Sequence, residues 1–178
     1  MILLVPHLEK TFPLQNDSMF LEGDKMVFGL GKGKIKINLE KTDFFPGDII
    51  RGNVTLELIE PIQGRPLKVA FIWQKYIEYG ASTHSSHQTI HRDELLLDEE
   101  NEYYGNIYPF EFKIPDDILY LAKHWIEGNY SGKLKEIMLK SQAQGLFKED
   151  DRFFVKASLD IPRGMDLKDN VKINIMER

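Results

Sequence analysis

Apolar and polar residues alternate with a period of two along most of the chain. Ile35, Ile37 and Leu39 are interleaved with Lys34, Lys36, Asn38 and Glu40. Successive side chains leave a strand on opposite sides, so this spacing predicts a strand with one dry and one wet face. The pattern resumes as Val54, Leu56 and Leu58 against Asn53, Thr55 and Glu57, after the tetrapeptide Phe45-Pro46-Gly47-Asp48. Proline fixes φ and glycine tolerates the left-handed region, which predicts a type II turn there. Further strands are predicted over 66–79, with Val69, Phe71 and Trp73 on one side, and over 88–97. Another spans 106–114, with Tyr108, Phe110, Phe112 and Ile114 in phase, and stops at Pro115, which has no N–H for a ladder. Phe153, Val155, Ala157 and Leu159 mark a late strand, and Val171, Ile173 and Ile175 the last.

Between Pro115 and Phe153 the period changes. Asp116-Asp117 offers an N-cap to a helix carrying Ile118, Leu121, Ala122 and Trp125 at three- and four-residue spacing. Gly128 to Gly132 breaks it. A second helix is predicted over 133–144, with Leu134, Ile137 and Met138 on its dry side and Gly145 as its stop. Seven to nine short strands with turns between them, and helix confined to an insertion at about 116–146, predict a mainly β protein: an antiparallel, immunoglobulin-like β-sandwich. Its inward residues are expected to be Ile37, Leu39, Val54, Leu56, Val69, Phe71, Trp73, Phe110, Phe112, Val155, Ala157, Ile173 and Ile175. A register slip of one residue would bury Lys36 and Glu40 instead, which the cost of burying charge forbids. Residues 6–23 read as one edge strand and a loop.

The length of 178 residues suits a single domain covering 1–178. Twenty-three basic against 28 acidic side chains leave a formal charge of −5, which argues against nucleic acid as a partner, since that needs a basic face. With no cysteine, disulfides, thiolate metal sites and cysteine catalysis are excluded. The opening Met-Ile-Leu-Leu-Val reaches Pro6 and His7 too soon to be the apolar region of a signal peptide. The expectation is a cytoplasmic protein without a cofactor.

Chemistry-bearing residues are most concentrated at His84-Ser85-Ser86-His87-Gln88-Thr89-Ile90-His91, followed by Asp93. His84, His87, His91 and Asp93 could place nitrogen and oxygen ligands around a metal such as zinc, giving a metal-binding protein or a metal-dependent enzyme. The plainer reading is an exposed hairpin tip. Gly29-Leu30-Gly31-Lys32-Gly33-Lys34 lacks the Ser or Thr and the following helix of a phosphate-binding loop, and reads as a turn. The acids from Asp93 to Glu102 lack the spacing and glycine of a calcium loop. No serine lies in a nucleophile motif. An enzyme is therefore not expected. The insertion either closes one end of the sandwich or presents Lys123, Lys133, Lys135 and Lys140 beside Trp125, Ile137 and Met138, a composition suited to peripheral contact with anionic lipid.

The stretch Lys41-Thr42-Asp43-Phe44-Phe45-Pro46-Gly47-Asp48-Ile49-Ile50-Arg51-Gly52-Asn53-Val54 resembles the opening of an arrestin N-terminal domain. Tyr108-Pro109-Phe110-Glu111-Phe112-Lys113-Ile114-Pro115 is similar to that family's aromatic strand, and Phe153-Phe154-Val155-Lys156-Ala157-Ser158-Leu159-Asp160 to its late strand. The resemblance covers roughly residues 33–176 and is closest to α-arrestin and sporulation-control-like single-chain proteins. It implies one arrestin-like domain acting as a non-enzymatic adaptor or scaffold that binds other proteins, in signalling or trafficking. By position, the hairpin loop from Tyr79 to Ile90 resembles the loop with which arrestins probe receptors. Tyr76, Tyr79, Gly80, Ser82, His84 and His87 are the partner-binding candidates, because small polar residues reorder at little cost beside aromatic anchors. An uncovered sheet edge would also let the chain pair with a second copy.

Overall fold

A computed structural model describes residues 32–79 and 85–178. The strand expected within 6–23, the turn at 29–31 and the tip at 80–84 lie outside the described residues. The chain runs β1 (Gly33–Leu39), β2 (Asp43–Phe44), β3 (Ile49–Leu58), β4 (Ile62–Gly64), β5 (Leu67–Tyr79), β6 (Ser85–Asp98), β7 (Asn101–Tyr103) and β8 (Ile107–Lys113). Helices α1 (Ile118–Lys123), α2 (Trp125–Asn129) and α3 (Gly132–Ala143) follow, then β9 (Phe147–Leu159) and β10 (Leu167–Ile175). The ten strands exceed the seven to nine expected because β2, β4 and β7 are only two or three residues long, too short for alternation to show.

One sheet has the order β1-β3-β8 and the other β2-β10-β9-β5-β6, while β4 and β7 pair with each other. Pairing is antiparallel except where β2 lies parallel to β10, Asp43 opposite Asn174 and Phe44 opposite Ile175. The inner faces of the two larger sheets enclose one core. Ile35, Ile37, Val54 and Leu56 from the first meet Val69, Phe71, Trp73, Val155 and Ile173 from the second. Of the expected inward residues, Leu39 and Ile175 are half-buried at its margin and the rest are buried. The turn at 45–48 has the expected form: Asp48 N donates to Phe45 O at 3.0 Å, and Gly47 sits at φ 84°.

The helices depart from expectation in three ways. His124 separates α1 from α2, and α2 runs on through Gly128, so the break comes earlier than the glycines suggested. Asp117 precedes α1 without a side-chain capping bond, and Asp116 bonds Lys113 at 3.1 Å instead. No residue of α3 is buried; Leu134 and Ile137 face solvent and only Met138 packs inward. Gly145, at φ 68°, ends α3 as expected: its N–H bonds Gln142 O and the N–H of Leu146 bonds Ser141 O, the paired closure of a Schellman motif.

β5 and β9 are thirteen residues each against seven in β1. Beyond Trp73 the inner face continues through Lys75 and Ile77, opposite Asp151 and Glu149. Here helices replace strands as the second layer. Trp125 and Ile126 of α2 pack with Ile77 and Phe147 into a small second core, bordered by Tyr130 and Met138.

Candidate functional site: the outer face of the five-stranded sheet

Because opposite residues in a ladder share a face, the registers of β6, β5, β9 and β10 assemble cross-sheet rows on the outer side. One row is Glu94, Ala70, Lys156 and Asn170; the next is Arg92, Ile72, Phe154 and Lys172. Ala70 and Ile72 are buried although they point away from the core. They form the floor of a cleft of about 1140 Å³ that extends to the outer edge of β1. Lys34, Lys36, Lys68, Arg92, Lys156 and Lys168 line it, against Glu57, Glu94, Asp166 and Asp169. On a chain of net charge −5, this is a locally basic surface.

The cations fall into two groups. Glu94 accepts hydrogen bonds from Arg92 and, at 3.0 Å, an ion pair from Lys68; these hold its carboxyl below the usual range. Lys168 bonds Asp166 at 2.9 Å, which raises the ammonium, while that bond and the Ile161 N–H lower the Asp166 carboxyl. Lys34, Lys36 and Lys156 have no carboxylate partner among the described residues; Lys156 lies 5.2 Å from the Phe154 ring centre. The rim also offers backbone. Among the described residues β1 has a strand on one side only, and on the other the Ile37 N–H donates to Asp169 Oδ2 at 2.8 Å. A side chain thus takes the place of a neighbouring strand at that edge.

The same outer face carries part of the expected hairpin site. Tyr76 and His87 lie opposite each other on it, and the Arg152 guanidinium covers the Tyr76 ring at 3.9 Å. Tyr79 ends β5, whereas Gly80, Ser82 and His84 lie outside the described residues. The histidines divide. A bulge at Ile90 shifts the register, so His87 faces outward opposite Tyr76 while His91 faces inward opposite Trp73, its ring 5.7 Å from Phe71. Asp93, opposite Phe71, shares the His91 face. Among the described residues no three His, Asp or Glu side chains gather as a metal-holding group.

A buried charge cluster on the inner face was absent from the expectations. Lys75 is 1% exposed. Its Nζ donates to Asp151 Oδ2 at 3.0 Å, Glu149 Oε2 at 3.2 Å and the Ala122 carbonyl of α1 at 3.0 Å. Asp151 Oδ1 also accepts the Trp73 indole N–H at 2.7 Å. The cluster ties sheet to insertion. Its signal was present in the sequence: Lys75 falls in the dry phase between Trp73 and Ile77, and Glu149 and Asp151 fall in the dry phase between Phe147 and Phe153.

Among solved structures, the chain is similar to Spo0M, a sporulation control protein from Bacillus subtilis. The TM-score is 0.55 at 20% identity, covering 84% of this chain and 51% of that one. That likeness supports an arrestin-like fold of the Spo0M type, and this chain spans about half of Spo0M's length. A β-glucosidase from Erythrobacter marinus aligns at a TM-score of 0.24 and 10% identity, too little shared geometry to carry an argument. No protein-family model matches the chain, and no curated protein does.

Proposed function

We propose that this domain is a non-enzymatic, arrestin-like adaptor that binds an extended, acidic segment of a partner protein on the outer face of its five-stranded sheet. The observation that carries the reading is the cleft: an apolar floor at Ala70 and Ile72 ringed by six cations and four carboxylates, with three of the cations free of a carboxylate partner among the described residues. An acidic segment gains Coulomb energy from these unpaired cations without first breaking an ion pair. Among the described residues β1 pairs with β3 alone, which leaves its other side, beside the Ile37–Asp169 bond, for the backbone of an extended segment. From the cleft the face continues to Tyr76 and His87. The Spo0M likeness supports a regulatory role for the fold and is compatible with an adaptor in signalling.

The test compares affinity purification from native cells using the wild-type chain, Lys34→Glu/Lys36→Glu/Lys156→Glu, and a variant with residues 80–86 replaced by Asn-Gly. Melting temperatures should stay close to wild type, because Lys34 and Lys36 are exposed and Lys156 lies on the outer face, away from the core. The charge-reversed chain is expected to lose at least one partner. Recovery of every partner at equal yield by both variants rejects the outer face as the binding surface.

A further inference from the structure

We infer that α3 is a peripheral docking element for an anionic lipid surface. A twelve-residue helix normally buries one stripe on its own domain. This one buries nothing fully, and leaves Leu134 54% and Ile137 52% exposed. The two are neighbours at i and i+3, and the positions three or four residues from Ile137 also include Lys133 and Lys140. Apolar and cationic side chains therefore share one solvent-facing strip. Leu146, just past the Schellman turn, and Tyr120 and Leu121 of α1 are exposed in the same insertion.

The occupant follows from charge and shape. The insertion from Asp116 to Leu146 is neutral as a whole, but α3 itself holds three lysines and one glutamate, a local charge of +2 on a chain of −5, so an anionic surface is attracted to this helix more than to the rest. The segment has no arginine. Arginine is enriched and lysine depleted at protein interfaces, whereas lysine stems readily lie along apolar surface while the ammonium reaches headgroups. No described helix is long and apolar enough to cross a membrane, so α3 would lie on the surface.

The experiment sediments the full chain with vesicles of phosphatidylcholine alone and of phosphatidylcholine with about one-third phosphatidylglycerol, a proportion that gives a strongly negative surface. Binding is expected only to the anionic vesicles, weakening as sodium chloride rises from about 0.1 M to about 0.5 M, where screening shortens. Lys133→Glu/Lys140→Glu should lower the partition coefficient at least about tenfold, and Ile137→Ser should lower it too. Circular dichroism checks that each variant folds, since all these positions are solvent-facing. In Ile137→Trp the new indole should shift to the blue on anionic vesicles; Trp73 and Trp125 are buried and report little. No binding, equal binding to neutral vesicles, or unchanged binding by the charge-reversed variant overturns the inference. Self-association abolished by Ile137→Ser, without lipid binding, would give the strip to a second copy and overturn it equally.

Discussion

Replacing Lys75 by Met shortens the side chain by one atom, keeps most of its apolar stem, and removes the charge, its three hydrogen bonds and its position over the Trp125 ring, so it reports what the buried cluster contributes. In the wild type the ammonium is 1% exposed and meets two carboxylates and a helix carbonyl within 3.2 Å. Removing one partner of a buried ion pair typically costs about 3–5 kcal/mol, mainly because the charge left behind is desolvated and unpaired. Asp151 keeps 27% of its side chain exposed and the Trp73 N–H as a donor, so solvent relieves part of that cost. Glu149, at 11%, has less relief. The expected loss is therefore about 3 kcal/mol, the low end of the range. Urea unfolding at constant m-value measures it. Adding Glu149→Gln and Asp151→Asn to Lys75→Met should recover most of the loss, since no charge then stays buried. A loss below about 1 kcal/mol, or a triple variant no more stable than the single one, would refute the account.

Two further outcomes follow from local geometry. A Cβ built on Gly64 would stand 2.8 Å from Leu159 Cδ1 and 2.9 Å from Tyr103 Cε2, so Gly64→Ala should cost about 1–3 kcal/mol in urea unfolding. Gly128, in α2 with nothing within 4 Å of its added Cβ, is the control; Gly128→Ala should be neutral or stabilising by under about 1 kcal/mol. Tyr103 is pushed up to about 12 by burial, and its hydroxyl donates to the Glu99 carbonyl at 2.7 Å while accepting the Leu67 N–H at 3.0 Å. A raised acid is stabilising while protonated, so that contribution is complete below the ordinary tyrosine value and is lost as pH rises toward 12. Melting curves above about pH 10 should fall more steeply for wild type than for Tyr103→Phe; parallel curves would refute it.

The long strands were legible because their dry faces meet one continuous core, and a period of two records that directly. Ile37, Val54, Phe71 and Val155 needed nothing but spacing. The helices were less so. Leu134 and Ile137 have the spacing of a buried stripe, yet spacing cannot say whether the domain or something outside it supplies the cover. The bulge at Ile90 was also hidden: an extra residue in β6 changes the face of every residue before it, and only the partner strand reveals it. For the same reason the histidines looked like a set in sequence and are split between two faces in space. The cleft had no local signature at all, since Lys34, Lys68, Arg92, Lys156 and Lys168 come from five strands far apart in the chain. Lys75 was different. Its dry-phase position, matched by Glu149 and Asp151, is a readable sign of buried ion pairing.

The parallel pairing of β2 with β10 bears on how the protein is made. Among the described residues, 43–44 find their ladder in 174–175, and β10 sits inside its sheet, between β2 and β9. Asp169, which accepts the Ile37 N–H on the other side of β1, is on the same strand. A ribosome therefore delivers β1 to β9 before the piece that joins the first strands to the last has emerged. Until then the inner faces of Val155, Ala157 and Leu159 stand beside a missing neighbour, and β9 offers an unpaired edge. Synthesis order thus sets a window, closing when β10 docks between β2 and β9, in which the edge of β9 is open to the wrong partner.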